Sequence, residues 1–336
     1  ARLVIVQVGD AMGAVDVSQV SAASNWVTEH RNDNGMNSRG LSVSFGTVSV
    51  QSYQVDPLAY AVEQAWEAGI VVVVAAGNDG NAAPLRNPAN DPYVIAVGAN
   101  DDNGTRWSSD DVIPSFSSCG TSARHVDIVA PGKSVEGLRN PGSEADQRHP
   151  NAAVDSRKFK GSGTSQAAAV VAGAAALLLD HRPNLTPDQV KALLMDTAKP
   201  ISGVSTLCQG DGTLNLRGAY WDGTPNASQT APKSNGNGSL NAARGSAHVE
   251  IDGVALEGEI DIHGRPFNGA SHAEISAQGI TWSGGDWNGL TWSGITWSGL
   301  TWSGLTWSGI TWSGLSWSGL TWSGNTWTGL SLSLIH

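Results

Sequence analysis

At 336 residues, 40% of them hydrophobic, the chain is long enough for one large packed core plus an appendage. Its formal net charge of -11 argues against a nucleic-acid groove, which needs clustered Lys and Arg to neutralise phosphates. Only 15% of residues are charged while 41 are glycine, a balance that suits a buried α/β core better than a helical bundle or an acidic disordered tail.

The first two thirds alternate strand-like and helix-like runs. Residues 3–8 are an apolar run that reads as a strand. The spacing of Val17, Val20, Ala23, Trp26 and Val27 predicts a helix over 17–30. A short strand is expected at 41–45. A helix at 58–68 is preceded by Pro57 and stopped by Gly69. Residues 70–76 are apolar without alternation, the mark of a strand covered on both faces. Residues 93–98 and 126–130 repeat that signature. Nearly pure Ala, Val, Gly and Leu over 167–179 predicts a helix buried all round. Thr186 then caps a helix that opens at Pro187 and runs to about 197. Strands alternating with helices imply βαβ units, a mostly parallel sheet and right-handed crossovers. No stretch reaches the ~20 apolar residues of a membrane span.

Composition changes after residue 222. Residues 223–246, rich in Asn, Ser, Gly, Ala and Pro, read as a polar linker. Residues 247–279 form a short segment expected to be β-rich, with two strands within 248–262. Over 280–330 a Thr-Trp-Ser-Gly-x unit repeats, placing ten tryptophans five residues apart from Trp282 to Trp327. A period of five matches no single helix face and alternates the faces of a flat strand. A four-sided β-solenoid would stack the indoles into a ladder; an extended low-complexity tail is the other reading. Exposed indoles suit sugar rings or another protein chain, so cell-wall polysaccharide binding and self-association are the expected roles of the repeat. Residues 331–336 abandon the motif. Cys119 and Cys208 are not spaced as a metal or CxxC pair, and the sequence leaves open whether they form a disulfide or two buried thiols.

Three features carry chemistry. Gly161-Ser162-Gly163-Thr164-Ser165 leads into the Ala-rich helix, so Ser165 sits at a helix N-terminus, in a positive field beside free backbone N–H groups. Both favour an oxyanion forming there. Asn78 lies just past the carboxyl end of the 70–76 strand, where open α/β sheets place ligands, and its amide can donate to developing negative charge. Ser44-Phe45-Gly46 ends the short strand. Taken singly, these are a capping serine, an Asn-Asp-Gly turn and a strand end.

Their order resembles the subtilases, the subtilisin-like serine peptidases. The nucleophile motif is matched by Gly163-Thr164-Ser165 and the small-residue helix behind it, and the oxyanion segment by Ala75-Ala76-Gly77-Asn78. Further matches are Ser44-Phe45-Gly46, Val94-Ile95-Ala96-Val97-Gly98, Val126-Asp127-Ile128-Val129-Ala130-Pro131-Gly132 and Gly212-Thr213-Leu214-Asn215, so the resemblance covers roughly residues 1–220, within an expected catalytic domain over 1–222. It implies a subtilisin-like doubly wound sheet, Ser165 as nucleophile, and Asn78 with the Ser165 N–H as oxyanion hole. Ser44, Phe45, Gly46, Ala75, Ala76 and Gly77 would bind the substrate backbone and wall a P1 pocket with room for a bulky apolar side chain. Protein or peptide substrates and a secreted location follow. Ala169 stands where the family usually has proline, which costs the helix nothing.

The larger departure concerns the rest of the triad. None of His30, His125, His149, His181, His248, His263, His272 or His336 lies in a His-Gly-Thr-His motif. Asp10 follows a strand, but Ala11-Met12-Gly13 follows it rather than Ser/Thr-Gly. The expectation is a domain that begins downstream of both Asp and His, a sheet incomplete at its N-terminus, and a chain inactive alone although its parent is a serine endopeptidase. A catalytically dead homologue that binds cell wall or protein is the alternative. No cofactor is identified; calcium is common in the family, but no ligand set maps onto this chain.

Overall fold

The computed structural model describes residues 2–9, 14–105, 107–246, 248–251, 254–262 and 264–277, with backbone strands at 286–287, 290–291 and 331–335. The Trp repeat otherwise lies outside the described residues, as do Asp10, His263 and His336.

The central sheet contains β1 (Leu3–Gln7), β2 (Gly40–Val43), β3 (Val71–Ala75), β4 (Ile95–Asn100) and β5 (Ile128–Pro131). Strands β2 to β5 are parallel and adjacent in chain order. The strand Ser331–Ile335 lies between β1 and β2, antiparallel to both, with Ser333 opposite Ile5 and Ser42. β1 therefore runs parallel to β2 across one intervening strand. The expected mostly parallel α/β sheet is present.

Every residue of β3 is buried, and side chains alternate across a strand, so both faces must be covered. Helix α1 (Val17–Glu29) packs on α2 (Pro57–Glu67), and α2 packs on β3. A later helix, Thr164–His181, packs on β2 through β5. Asp16 caps α1 in a capping box with Gln19, and Asp56 caps α2, accepting from the Leu58 and Ala59 N–H groups. The α1 cap has no periodic signal and escapes a reading based on apolar spacing.

Between β5 and the Thr164–His181 helix, the chain forms a hairpin of β6 (Val135–Leu138) and β7 (Lys158–Gly161), enclosing α3 (Glu144–Arg148). With α3 counted, the Thr164–His181 helix is α4. It is followed by α5 (Pro187–Asp196), α6 (Thr206–Gln209) and α7 (Leu216–Trp221). Thr186 caps α5, as expected, with Gln189 completing the box. The expectation that α4 is buried all round needs correction: Ala169 is exposed and Leu177 is 53% exposed, so one flank is open. Small apolar residues make a helix able to pack anywhere, but they do not say which flank is covered.

The stretch read as a linker is also corrected. It runs packed against α2. The Ser234 N–H donates to the Glu63 carboxylate at 2.9 Å, Asn235 N–H to Gln54 O at 2.8 Å, and the Tyr93 hydroxyl to Ala231 O at 2.8 Å. It ends in α8 (Leu240–Arg244), whose Arg244 pairs with Asp16 at 2.6 Å in the interior. Two short strands, β8 (Glu250–Ile251) and β9 (Val254–Ala255), then appear where expected, before α9 (Gly269–Ala277).

Cys119 and Cys208 form a disulfide. Among the described residues no helix is long and apolar enough to cross a membrane, and no cluster of three or more His, Cys, Asp or Glu side chains is placed to hold a metal ion.

Candidate functional site

The site lies where the carboxyl ends of β2 and β3 meet the N-terminus of α4. Gly163 precedes the helix, and its N–H donates to Gly132 O at 2.8 Å. A Cβ on Gly132 would lie 2.9 Å from Gly163 O and 2.6 Å from Ala99 Cβ, so glycine lets these segments approach. Thr164 is fully buried and joins the two motifs. Its N–H donates to Asn78 Oδ1 at 2.9 Å, its hydroxyl donates to the same oxygen at 3.1 Å, and its Oγ1 accepts from the Gly77 N–H at 3.2 Å. A backbone N–H can only donate, which fixes the Asn78 amide with its carbonyl inward. Asn78 is itself exposed, and its NH₂ lies beside Gly163, where a Cβ would come within 3.4 Å of Nδ2.

Ser165 follows, half-buried, in the first turn of α4. Its carbonyl accepts from the Ser44 hydroxyl at 3.4 Å. Ser165, Asn78, Gly77 and Ser44 are thus brought together from three segments far apart in sequence. The wall residues divide. Phe45, Ala75 and Ala76 bury their side chains in the core; the Ala76 N–H donates to Val97 O at 3.0 Å and its carbonyl accepts from the Arg86 N–H at 3.0 Å.

The loop that carries Asn78 is held from behind by a turn the sequence did not single out. Ser118 N–H donates to Gly77 O at 3.0 Å, Ser118 Oγ accepts from Asp79 N–H at 3.2 Å, and Gly80 N–H donates to Phe116 O at 2.9 Å. Cys119 follows directly and is tied through its disulfide to α6. Arg86 forms a two-pronged ion pair with Asp79, Nε to Oδ2 at 2.5 Å and Nη2 to Oδ1. The hydrogen bonds from Arg86 hold the Asp79 carboxyl below its usual range. These residues lack a motif, and only the proximity of segments distant in sequence reveals them.

The described histidines are engaged elsewhere. His30 contacts Trp26 O at 2.9 Å, His125 Val126 O at 2.8 Å, and His248 Leu256 O at 3.0 Å. His181 stacks on Tyr220, and His149 ends α3. His272 is buried beside Asn25, and that burial lowers its pKa to about 4. Among the described residues, no histidine is hydrogen-bonded to Ser165.

A sequence model of the subtilase family matches residues 1–245, nearly three quarters of the chain. The chain belongs to the subtilase family. This subtilase is 37% identical over 222 residues to a protein named serine protease AprX from Bacillus subtilis, an alignment covering 64% of this chain and 50% of the relative. It is 33% identical over 188 residues to a subtilisin-like protease 2 from Trichophyton tonsurans, covering 56% of this chain and 38% of that one. The chain thus spans half or less of the length of these relatives. Among solved structures it is similar to fervidolysin from Fervidobacterium pennivorans, described as a keratinolytic enzyme related to subtilisin, at 27% identity and a TM-score of 0.46, covering 62% of this chain and 30% of that one.

Proposed function

We propose that this subtilase contributes the nucleophile and oxyanion side of a serine endopeptidase. One arrangement carries the reading: Ser165 lies in the first turn of α4 while Thr164, its neighbour, holds the Asn78 side-chain carbonyl and so leaves the amide NH₂ free of that contact. In the reaction Ser165 Oγ attacks the scissile carbonyl carbon as its proton passes to a base, the C–N bond breaks as that proton is given to the leaving amine, and water then hydrolyses the acyl-enzyme. The Asn78 NH₂ and the Ser165 N–H donate to the oxygen as it becomes negative, stabilisation worth about 3–4 kcal/mol for one good donor. The substrate backbone docks as an added strand along Ser44–Gly46, with its P1 side chain turned toward Ala75–Gly77.

The Ser165 proton needs an acceptor, since a serine hydroxyl is a poor nucleophile without a base. In this reading the base and its carboxylate partner lie outside the described residues. Without such a base the site is expected to retain at most the roughly 10³–10⁴-fold advantage over water that an oxyanion hole and binding supply. A secreted setting is supported by the Cys119–Cys208 disulfide, since such bonds persist in oxidising compartments. For the Trp repeat we propose cell-wall or self-association, tested by retention of the chain on peptidoglycan or chitin and by its mass in solution.

The decisive test is casein cleavage by the whole natural protein with and without Ser165→Ala. Loss of cleavage supports the reading; unchanged cleavage by the variant would remove Ser165 from the reaction.

A further inference from the structure

Arg86 lies between the two segments proposed to hold the substrate. Its N–H is fixed to Ala76 O at 3.0 Å, and its neighbour Asn87 exchanges two backbone hydrogen bonds with Thr47, at 2.9 and 3.0 Å. The backbone at 86–87 is therefore pinned to both walls. The side-chain stem fills the space between them. A Cβ on Gly46 would lie 2.6 Å from Arg86 Cβ, and a Cβ on Gly77 would lie 2.7 Å from Arg86 Cγ. At both positions the arginine stem occupies the volume a side chain would take, and at Gly77 the backbone φ of +117° favours glycine as well. The head is then locked by Asp79, and the Arg86 side chain is only 25% exposed.

We infer that Arg86 is a specificity-determining residue that plugs the slot between Ser44–Gly46 and Ala75–Gly77, so that this site takes peptides with a small, uncharged P1 side chain such as Ala or Ser. The inference rests on the peptidase reading above and replaces the expectation of a roomy apolar pocket. Moving the plug aside requires breaking the two-pronged pair with Asp79 and leaving Gly46 and Gly77 uncovered. A large apolar side chain would also have to sit against a charged pair and strip its water. An acidic side chain is disfavoured for a different reason. The guanidinium is already neutralised by Asp79, and a second carboxylate would face the first across it.

The test is equilibrium binding, read by fluorescence anisotropy without turnover. The full 336-residue chain is titrated into three labelled tetrapeptide amides that differ only in the last residue: Ala, Phe or Glu. The Ala peptide is expected to bind at least about tenfold tighter than the Phe peptide, a discrimination within reach of pocket size alone. Arg86→Gly is expected to reverse that order, and Arg86→Ala to narrow it. If Arg86→Gly does not fold, the unaltered chain and Arg86→Ala still decide. Three results would overturn the inference alone: Phe bound as tightly as Ala by the unaltered chain, Glu bound tightest, or an order indifferent to Arg86. Absence of binding by every peptide to every chain would overturn the substrate-cleft reading itself, and the inference with it.

Discussion

Thr164 holds the side-chain carbonyl of Asn78 with two donors, its N–H at 2.9 Å and its hydroxyl at 3.1 Å, and the same hydroxyl accepts from Gly77. The residue next to the proposed nucleophile therefore sets the orientation of the proposed oxyanion donor, and α4 and the end of β3 act as one unit.

That coupling separates two variants. In the whole natural protein, Asn78→Ala should lower kcat by about 10²–10³ with little change in KM, because the lost donor acts on charge that develops only in the transition state. Thr164→Val keeps the N–H bond to Asn78 but deletes the hydroxyl, so it should cost roughly tenfold in kcat, the scale of one buried hydrogen bond. Steady-state kinetics on one peptide substrate measure both. Equal losses from the two would mean that the hydroxyl, not the N–H, orients the amide.

The disulfide acts on the same loop from the other side. Cys119 follows Ser118, whose N–H and hydroxyl bracket Asn78 through Gly77 and Asp79, and it is bonded to Cys208, 89 residues away. Opening a loop of that length should cost about 2–5 kcal/mol of unfolding free energy. The double variant Cys119→Ser, Cys208→Ser should show that loss in urea and faster amide exchange at Asp79, while Ala99, whose N–H is held by Ser117 Oγ at 3.0 Å, changes less. Uniform acceleration would mean that the bond stabilises the domain without bracing the loop.

The legible parts of the site share one property: the chemistry lies within a few adjacent residues. Gly163-Thr164-Ser165 before an Ala-rich helix, and Asn78 after an all-apolar strand, are readable because periodicity places them at element ends. Arg86 and Ser118 are not, because their roles come from contacts with Gly46 and with Asp79, 39 residues from Ser118. The misread linker shows the same limit. Asn, Gly and Ser describe a backbone that is free to bend, but Ser234 finds its acceptor on Glu63, 171 residues earlier, and composition carries no trace of that pairing.

Arg244 gives a stability prediction of its own. Its Nε and Nη2 donate to the two Asp16 oxygens at 2.6 and 3.2 Å, Nη1 donates to Gly258 O at 2.8 Å, and both side chains are 1% exposed. Asp16 also caps α1, so α8 is fastened to the start of that helix. Arg244→Ala should destabilise by about 3–5 kcal/mol, because it leaves a buried carboxylate without its cation. The pair Arg244→Met, Asp16→Asn should recover much of this, since it removes the charge while Asn keeps the cap. Chemical denaturation of the two proteins checks the ranking; equal losses would show that the Arg244 packing and its hydrogen bonds to Gly258 O and Ile260 O, rather than the unpaired charge, carry the cost.

Glu63 makes stability depend on pH in the opposite sense to a surface ion pair. Burial, the largest cause, pushes its pKa up to about 6 against the Ser234 N–H bond that favours the charged form. The neighbouring Asp91, also buried, is raised well above the ordinary carboxylate range. A carboxyl whose folded pKa exceeds its unfolded value of 4.5 binds protons better when folded, so stability should fall as pH rises from 4.5 through about 6 and then level off. Asp127 behaves in the reverse way. The Arg124 and Lys191 charges hold its pKa below 3.8 against burial, so its contribution is lost only in stronger acid, below the Glu63 window. Glu63→Gln keeps an acceptor for Ser234 and removes the titration. Urea midpoints at pH 4.5, 6 and 7.5 should therefore decline less in the variant than in the unaltered chain. Parallel declines would mean that Asp91, whose pKa is also raised by burial, carries the pH dependence rather than Glu63.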